Sequence, residues 1–63
     1  MKLVFEDLNN HWRVTVYNED GSIVFQQTNV FYPEHRTAEY FNGWERQIRT
    51  FPGLNITSVE SFI

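Results

Sequence analysis

One amphipathic segment, Thr37–Phe51, limits the folds open to this chain more than any other feature. At a helical spacing of about 100° per residue, its large apolar side chains fall on one stripe: Phe41, Trp44, Ile48 and Phe51. A helix with a single apolar face is stable only when another element covers that face. The rest of the chain contains several strand-like runs, so the sequence predicts one helix packed on a sheet.

Three strand-like runs precede the helix: Lys2–Leu8, His11–Asn18 and Ser22–Thr28. The second alternates with a clean period of two, which places Trp12, Val14 and Val16 on one face and Arg13, Thr15 and Tyr17 on the other. The first run carries charges that discourage pairing between sheets, at Lys2, Glu6 and Asp7. We therefore expect the first run at an edge of the sheet.

Polar turns and a short aromatic connection join these elements. Asn9-Asn10 predicts a turn, and Asn18-Glu19-Asp20-Gly21 predicts a type I turn with Gly21 in the left-handed bulge position of a hairpin. Asn29–Pro33 is expected to connect the third strand to the helix. Thr37 is a suitable N-cap for that helix.

The chain after the helix predicts a fourth strand. Pro52-Gly53 ends the helix, and Leu54–Ile63 carries an apolar pattern that changes phase between Ile56 and Val59, which predicts a β-bulge. The order is therefore strand, strand, strand, helix, strand. This predicts a single α+β domain over residues 1–63, in which an antiparallel sheet of three to four strands packs on one helix.

The small size of the chain and its lack of cysteine define how the core must be built. A domain of 63 residues buries only about 60% of the surface that its unfolded chain exposes. Without cysteine, neither a disulfide nor a thiolate metal site can supplement the core. The aromatic residues, 2 Trp, 3 Tyr and 6 Phe, must supply much of the buried area. We expect this core to contain Trp12, Val14, Val16, Phe41, Trp44 and Ile48.

Charge and hydropathy patterns predict the compartment and disfavour some partners. The start of the chain lacks the basic and apolar regions of a signal peptide, and no run approaches the roughly 18 apolar residues of a membrane span. We therefore expect a soluble, cytoplasmic protein with no membrane partner. The net charge is −3, the opposite sign from that of a typical phosphate-binding surface.

The residue types that carry out catalysis do not occur in the necessary patterns. His11 and His35 are far apart in sequence, whereas a zinc site needs about four ligands. The serines lack the strand–turn–helix context of a nucleophile, and the glycines do not form a phosphate-binding series. We therefore expect a protein that is not an enzyme and that binds no metal, nucleotide or other cofactor.

Five residues are candidates for contact with a partner protein: Arg13, Tyr17, Phe31, Tyr32 and Gly43. Arg13 and Tyr17 share the outward face of the clearest strand, and Phe31-Tyr32 either caps the end of the core or supplies an aromatic anchor. We expect this sheet face and the loop that contains Phe31-Tyr32 to form one patch. Gly43 costs about 1 kcal/mol in a helix, which indicates either a local kink or the close approach of a partner backbone.

The chain also resembles small phage-encoded inhibitor proteins. The resemblance runs from Trp12-Arg13-Val14-Thr15-Val16 through the acidic turn, Thr37-Ala38-Glu39 and Trp44 to Phe51-Pro52-Gly53-Leu54-Asn55-Ile56-Thr57-Ser58-Val59. In plan it is similar to a phage inhibitor of bacterial RNA polymerase. The acidic turn and Phe41-Asn42-Gly43-Trp44 are similar to a stretch in a DNA-mimicking anti-CRISPR protein. The resemblance implies a non-enzymatic protein that occupies the surface of a host protein.

Two other classes of function stay open at the level of sequence. A sheet backed by a helix can present Arg13, Tyr17 and Gln26 to nucleic acid, and such binding weakens steeply with salt. Alternatively, the chain forms a homodimer or larger homo-oligomer that buries its excess aromatic side chains. Sedimentation that depends on protein concentration distinguishes this third class.

Overall fold

Four strands, one short 3₁₀ turn and one α-helix follow one another along residues 1–62, the part of the chain that the computed structural model describes. The elements are β1 (Lys2–Asp7), β2 (His11–Tyr17), β3 (Ile23–Val30), the 3₁₀ turn (Pro33–His35), α1 (Ala38–Arg49) and β4 (Ser58–Ser61). The strands form one sheet in the order β3-β2-β1-β4. The predicted α+β domain with a four-stranded sheet and one helix is confirmed.

The prediction of a wholly antiparallel sheet is wrong: the sheet is mixed, because the last strand runs parallel to its neighbour. β2 pairs antiparallel with both β1 and β3, whereas β4 pairs parallel with β1. The parallel direction arises because α1 crosses from one end of the sheet to the other before the chain enters β4. No helix within residues 1–62 has the length and apolar character needed to cross a membrane.

The prediction that β1 lies at an edge of the sheet is wrong. β1 lies between β2 and β4, and its charged side chains pair with groups on neighbouring elements: Lys2 with Glu60, Glu6 with Arg13, and Asp7 with Arg36. These charges therefore join β1 to its neighbours and do not protect a free edge. The two edges belong to β3 and β4.

The boundaries of β3 and β4 also differ from those expected. β3 continues through Asn29 and Val30, which were expected in the connection to the helix. Leu54–Thr57 is irregular and places Ile56 in the core, so the change of phase before Val59 marks the start of β4 and not a bulge. The expected end of this strand, Ile63, lies outside the described residues.

The predicted turns are confirmed by backbone geometry. Asn9 has a φ of 76° and Gly21 a φ of 87°, both in the left-handed region that Asn and Gly tolerate best. In the β2–β3 hairpin the Gly21 amide donates to the Asn18 carbonyl at 3.0 Å. The β2–β3 register also shifts between Val16 and Tyr17, where Val24 is an extra residue on β3; this irregularity was not predicted.

Helix α1 begins and ends close to the predicted positions. The Thr37 hydroxyl oxygen accepts a hydrogen bond from the Tyr40 amide at 3.2 Å, as expected of an N-cap. Phe41 and Ile48 are buried against the sheet, whereas Phe51 follows the helix and is 42% exposed. The apolar stripe is therefore confirmed over α1 and weakens beyond it.

The core lies between α1 and one face of the sheet, and Trp12 occupies its centre. Buried core residues are Leu3, Phe5, Trp12, Val14, Val16, Phe31, Phe41, Ile48 and Ile56. The Trp12 ring meets the rings of Phe5, Tyr40, Phe41 and Trp44 at centroid distances of 5.1 to 6.2 Å. Most of the predicted core is confirmed, but Trp44 is only half-buried. Its ring packs on Trp12 at the margin of the helix.

Candidate functional site

Helix α1 covers only one face of the sheet, and the opposite face remains open. We call this second surface the open face; it carries Lys2, Val4, Glu6, Arg13, Thr15, Tyr17, Ile23, Gln26, Thr28, Val30, Glu60 and Phe62. Within residues 1–62 no second helix lies over it. The open face is therefore a sheet surface that the fold leaves available for contact.

The basic side chains of the open face are both held in ion pairs. Arg13 donates from Nε and Nη2 to the two carboxylate oxygens of Glu6, at 3.1 and 3.0 Å, and this pairing raises the pKa of Arg13. The Lys2 ammonium lies 3.1 Å from the Glu60 carboxylate. Such partly exposed pairs contribute little to stability. Each positive charge at the centre of the open face is nevertheless neutralised by a neighbouring carboxylate.

The middle of the open face is smooth because its polar atoms bond to one another. Thr15 is fully buried although no helix covers it, and its hydroxyl accepts a hydrogen bond from the Gln26 side-chain amide at 3.1 Å. Beside it, Tyr17 and Phe62 line a shallow groove over Val4. Phe62 is 67% exposed. The groove therefore offers aromatic surface next to paired charges.

Phe31 does not join this surface, so the expectation of one patch does not hold. Phe25, Gln27 and Asn29 of β3 lie opposite core-facing residues of β2, and Phe31 continues that phase into the core, where only 8% of it is exposed. Its ring lies 6.0 Å from that of Phe41. The Arg36 guanidinium covers its other side at 3.8 Å from the ring centroid. Phe31 thus caps the end of the core.

Tyr32 lies on the helix side as well and belongs to a second cluster of rings. It is 52% exposed and meets His35 edge-on at 5.6 Å. His35 in turn stacks on Tyr40 at 4.3 Å with an interplanar angle of 11°. Neither Tyr40 nor the stacking of His35 on it is among the candidates predicted from sequence. The sequence indicated this contact only weakly. The 3₁₀ turn that aligns the two rings begins at Pro33, and its residues do not belong to a periodic apolar pattern.

Arg36 joins the start of the helix to the turn between β1 and β2. It donates to the Asp7 carboxylate at 2.8 Å and to the Asn9 carbonyl at 3.0 Å. The Asn9 backbone amide and the Arg36 guanidinium both donate to the Asp7 carboxylate and lower its pKa. Arg36 also lies over the Phe31 ring. It therefore has a structural role, which the distribution of charged residues in the sequence did not indicate.

Gly43 lies on the outer surface of α1, away from the residues that face the core. A Cβ atom at this position would meet no heavy atom within 4 Å. The helix continues through it from Ala38 to Arg49. The fold itself therefore does not require glycine here. The exposed candidate residues lie on three separate surfaces: Arg13 and Tyr17 on the open face, Tyr32 beside the 3₁₀ turn, and Gly43 on the outside of α1.

The described part of the chain offers no arrangement typical of a metal site. Within residues 1–62 no group of three or more His, Cys, Asp or Glu side chains comes close enough to hold a metal ion. A second cleft lies between the start of α1 and β4, lined by Phe5, Thr37, Phe41 and Val59. Arg36 and Glu45 also line this cleft, and both form ion pairs, with Asp7 and with Arg49 respectively.

Comparison with protein-family models, curated proteins and solved structures finds no match.

Proposed function

We propose that this chain is a non-enzymatic protein-binding module that contacts another protein through the open face, around Arg13 and Tyr17. The observation that carries the proposal is the combination of exposed aromatic surface with paired charges on a flat sheet. Tyr and Arg are enriched at protein interfaces, because each supplies a large contact area at a modest ordering cost. Both residues are anchored here by the central strand β2.

The same charge arrangement supports a protein partner over a nucleic acid. Binding to phosphates depends on basic groups that displace counterions, but Arg13 and Lys2 already pair with Glu6 and Glu60. Glu19 adds another carboxylate at the margin of the groove. A phosphate backbone would have to compete with these acids for each cation.

A role as an inhibitor of a host protein, such as a polymerase or a CRISPR effector in the cytoplasm, is the more specific form of this proposal. It rests on the resemblance of Trp12–Val59 to small phage-encoded inhibitors. Inhibition by surface occupation needs no catalytic group and no cofactor. An open sheet face on a small scaffold is suited to that mode of action.

Affinity capture from a bacterial lysate, followed by mass spectrometry, tests the proposal when wild type is compared with Tyr17→Ala. We expect wild type to retain a defined protein and Tyr17→Ala to bind it with at least about fivefold lower affinity, which corresponds to about 1 kcal/mol. Tyr32→Ala is the matched control, because Tyr32 is an exposed tyrosine on the other side of the molecule. It should bind like wild type.

Two outcomes would contradict the open face as the binding surface. One is normal binding by a folded Tyr17→Ala variant together with loss of binding in Gly43→Ala, which would assign the contact to α1. The other is tight binding of a single-stranded or duplex oligonucleotide that weakens steeply with added salt. That result would support the nucleic-acid alternative.

A further inference from the structure

The edge formed by β3 has a bulge at its hairpin end, but from Phe25 to Val30 it lacks the features with which proteins usually protect a free strand. Such edges are commonly short, charged, bulged or interrupted by proline. β3 spans 8 residues, Ile23–Val30, and contains neither a charged residue nor proline. The opposite edge, β4, spans only 4 residues and carries Glu60. Within residues 1–62, β3 is therefore the edge that offers the longer uncharged run for pairing, over Phe25–Val30.

The hydrogen-bond pattern shows which backbone groups of β3 point outward. The Phe31 amide donates to the Asn10 carbonyl at 2.9 Å. Hydrogen-bonded pairs alternate along an antiparallel ladder, so Phe25, Gln27 and Asn29 direct their backbone groups toward β2. Over this regular part of the strand, the amides and carbonyls that point away from the sheet belong to Gln26, Thr28 and Val30.

We propose that two copies of this chain pair antiparallel through β3, with the two-fold axis at Gln27. In this register Gln26 lies opposite Thr28 of the second copy. Both residues have outward backbone groups, so each would both donate and accept a hydrogen bond across the axis. The regular part of the pairing ends before Val24, the extra residue at the bulge.

Charge and exposure favour a second copy in this orientation. An uncharged strand does not repel itself, and the side chain of Val30, now 53% exposed on the open face, would be partly covered by the second copy. The acidic residues Glu19 and Asp20 lie in the turn between β2 and β3. Antiparallel pairing keeps these two turns apart by roughly the strand length, about 25 Å, whereas parallel pairing would bring them together.

The dimer would place both open faces on one side and both helices on the other. Rotation about a two-fold axis perpendicular to the sheet leaves each face on its original side. The two sheets therefore become one continuous sheet. This inference does not depend on the function proposed for Arg13 and Tyr17. A partner protein with two-fold symmetry could nevertheless contact two copies of the open face side by side.

Sedimentation equilibrium of wild type, Thr28→Pro and Thr28→Val tests the pairing. Proline at position 28 removes an outward amide and spares the ladder with β2, as proline on an edge strand can. Over protein concentrations from about 1 µM to about 1 mM, we expect wild type and Thr28→Val to dimerise. For Thr28→Pro we expect a dissociation constant at least tenfold higher, with a far-ultraviolet circular dichroism spectrum like that of wild type.

Charge exchange at the two-fold axis tests the register independently. Gln27→Lys and Gln27→Glu each place like charges directly opposite one another, which destabilises a strand pair. We expect each variant alone to dimerise several-fold more weakly than wild type. An equimolar mixture of the two should recover a heterodimer, because the introduced ammonium of one copy then faces the introduced carboxylate of the other.

Three results would overturn the proposal. They are a wild type that stays monomeric up to about 1 mM, a Thr28→Pro variant that dimerises like wild type, and a mixture of the two Gln27 variants that fails to form a heterodimer. A monomeric wild type whose capture of a lysate protein is lost in Thr28→Pro would show that a foreign strand occupies this edge. Tyr17→Ala should leave dimerisation unchanged, which separates this result from the test of the open face.

Discussion

Arg36 shows how one side chain can hold two distant parts of this small fold together. Its guanidinium covers the Phe31 ring and donates to both Asp7 and the Asn9 carbonyl. A cation over a ring contributes about 0.5–1 kcal/mol at an exposed site. In a domain of this size, whose total stability is small, such a contribution is substantial.

Replacement of Arg36 by methionine should therefore lower the free energy of unfolding by about 1 kcal/mol at neutral pH, as measured by urea denaturation. The pKa of Asp7 is lowered in the folded state, first by the Asn9 amide and then by Arg36. The stability linked to Asp7 is present above its unfolded pKa of about 3.9 and is lost as the pH falls through the lower folded pKa. The difference between wild type and Arg36→Met should consequently narrow in strong acid.

Arg46→Met is the control for Arg36, because Arg46 forms no ion pair within residues 1–62. It should change stability by only a few tenths of a kcal/mol. A difference between wild type and Arg36→Met that widens below about pH 4 would contradict the assigned role of Asp7.

Two glycines allow a matched test of backbone conformation. Gly43→Ala should raise the free energy of unfolding by about 1 kcal/mol, because a Cβ there meets nothing within 4 Å and the residue is helical. Gly21→Ala should lower it by a similar amount, since Gly21 has a φ of +87°. Denaturation midpoints of both variants measure these changes. Destabilisation by Gly43→Ala would contradict the description of this helix surface as free.

At the scale of elements, aromatic rings form a large part of the contact between α1 and the sheet. Phe41 meets Phe5, Trp12, Phe31 and Tyr40 at centroid distances between 5.1 and 6.0 Å. Edge-to-face pairs of this kind add about 0.5–1.5 kcal/mol each beyond the area that they bury. Trp44 meets only Trp12 in this way and is half-buried.

Phe41→Ala should therefore destabilise the protein more than Trp44→Ala. Removal of a buried phenylalanine costs about 3–5 kcal/mol, and Phe41 is only 5% exposed. We expect a smaller loss for Trp44→Ala, because part of its ring already contacts solvent. Thermal and urea unfolding of the two variants measure the difference. A Trp44→Ala variant less stable than Phe41→Ala would show that the margin of the helix contributes more than its centre.

For the molecule as a whole, stability should be concentrated in the two central strands. β1 and β2 pair on both sides, and they supply Leu3, Phe5, Trp12, Val14 and Val16 to the core. β4 contributes four exposed residues. Local opening requires less free energy where few apolar contacts are lost.

Amide hydrogen exchange at low protein concentration should show this gradient. We expect the longest protection in β2, whose amides bond on both sides, and rapid exchange at the outward amides of Gln26 and Thr28. At high protein concentration, where the proposed dimer forms, these two amides should become protected. Rapid exchange throughout β2 in folded protein would contradict the central place of this strand.

Much of the fold could be predicted from local patterns. The period of two in β2, the capping residue Thr37, the helical stripe and the left-handed Asn9 and Gly21 all depend on residues a few positions apart. Backbone geometry and side-chain direction act over that range. For the same reason the sequence correctly placed Arg13 and Tyr17 on one face.

The tertiary structure decided where the ends of the chain meet. β1 became central because β4 returns beside it in parallel after α1, and the charges of Lys2 and Glu6 found partners there. Phe31 entered the core because β3 extends far enough to keep its phase. These outcomes depend on contacts between residues far apart in sequence. A local pattern of apolar residues does not indicate the free energies of such contacts. The amino-acid sequence by itself determined the elements and their inward faces, whereas long-range packing alone decided their order in the sheet and the surfaces left open.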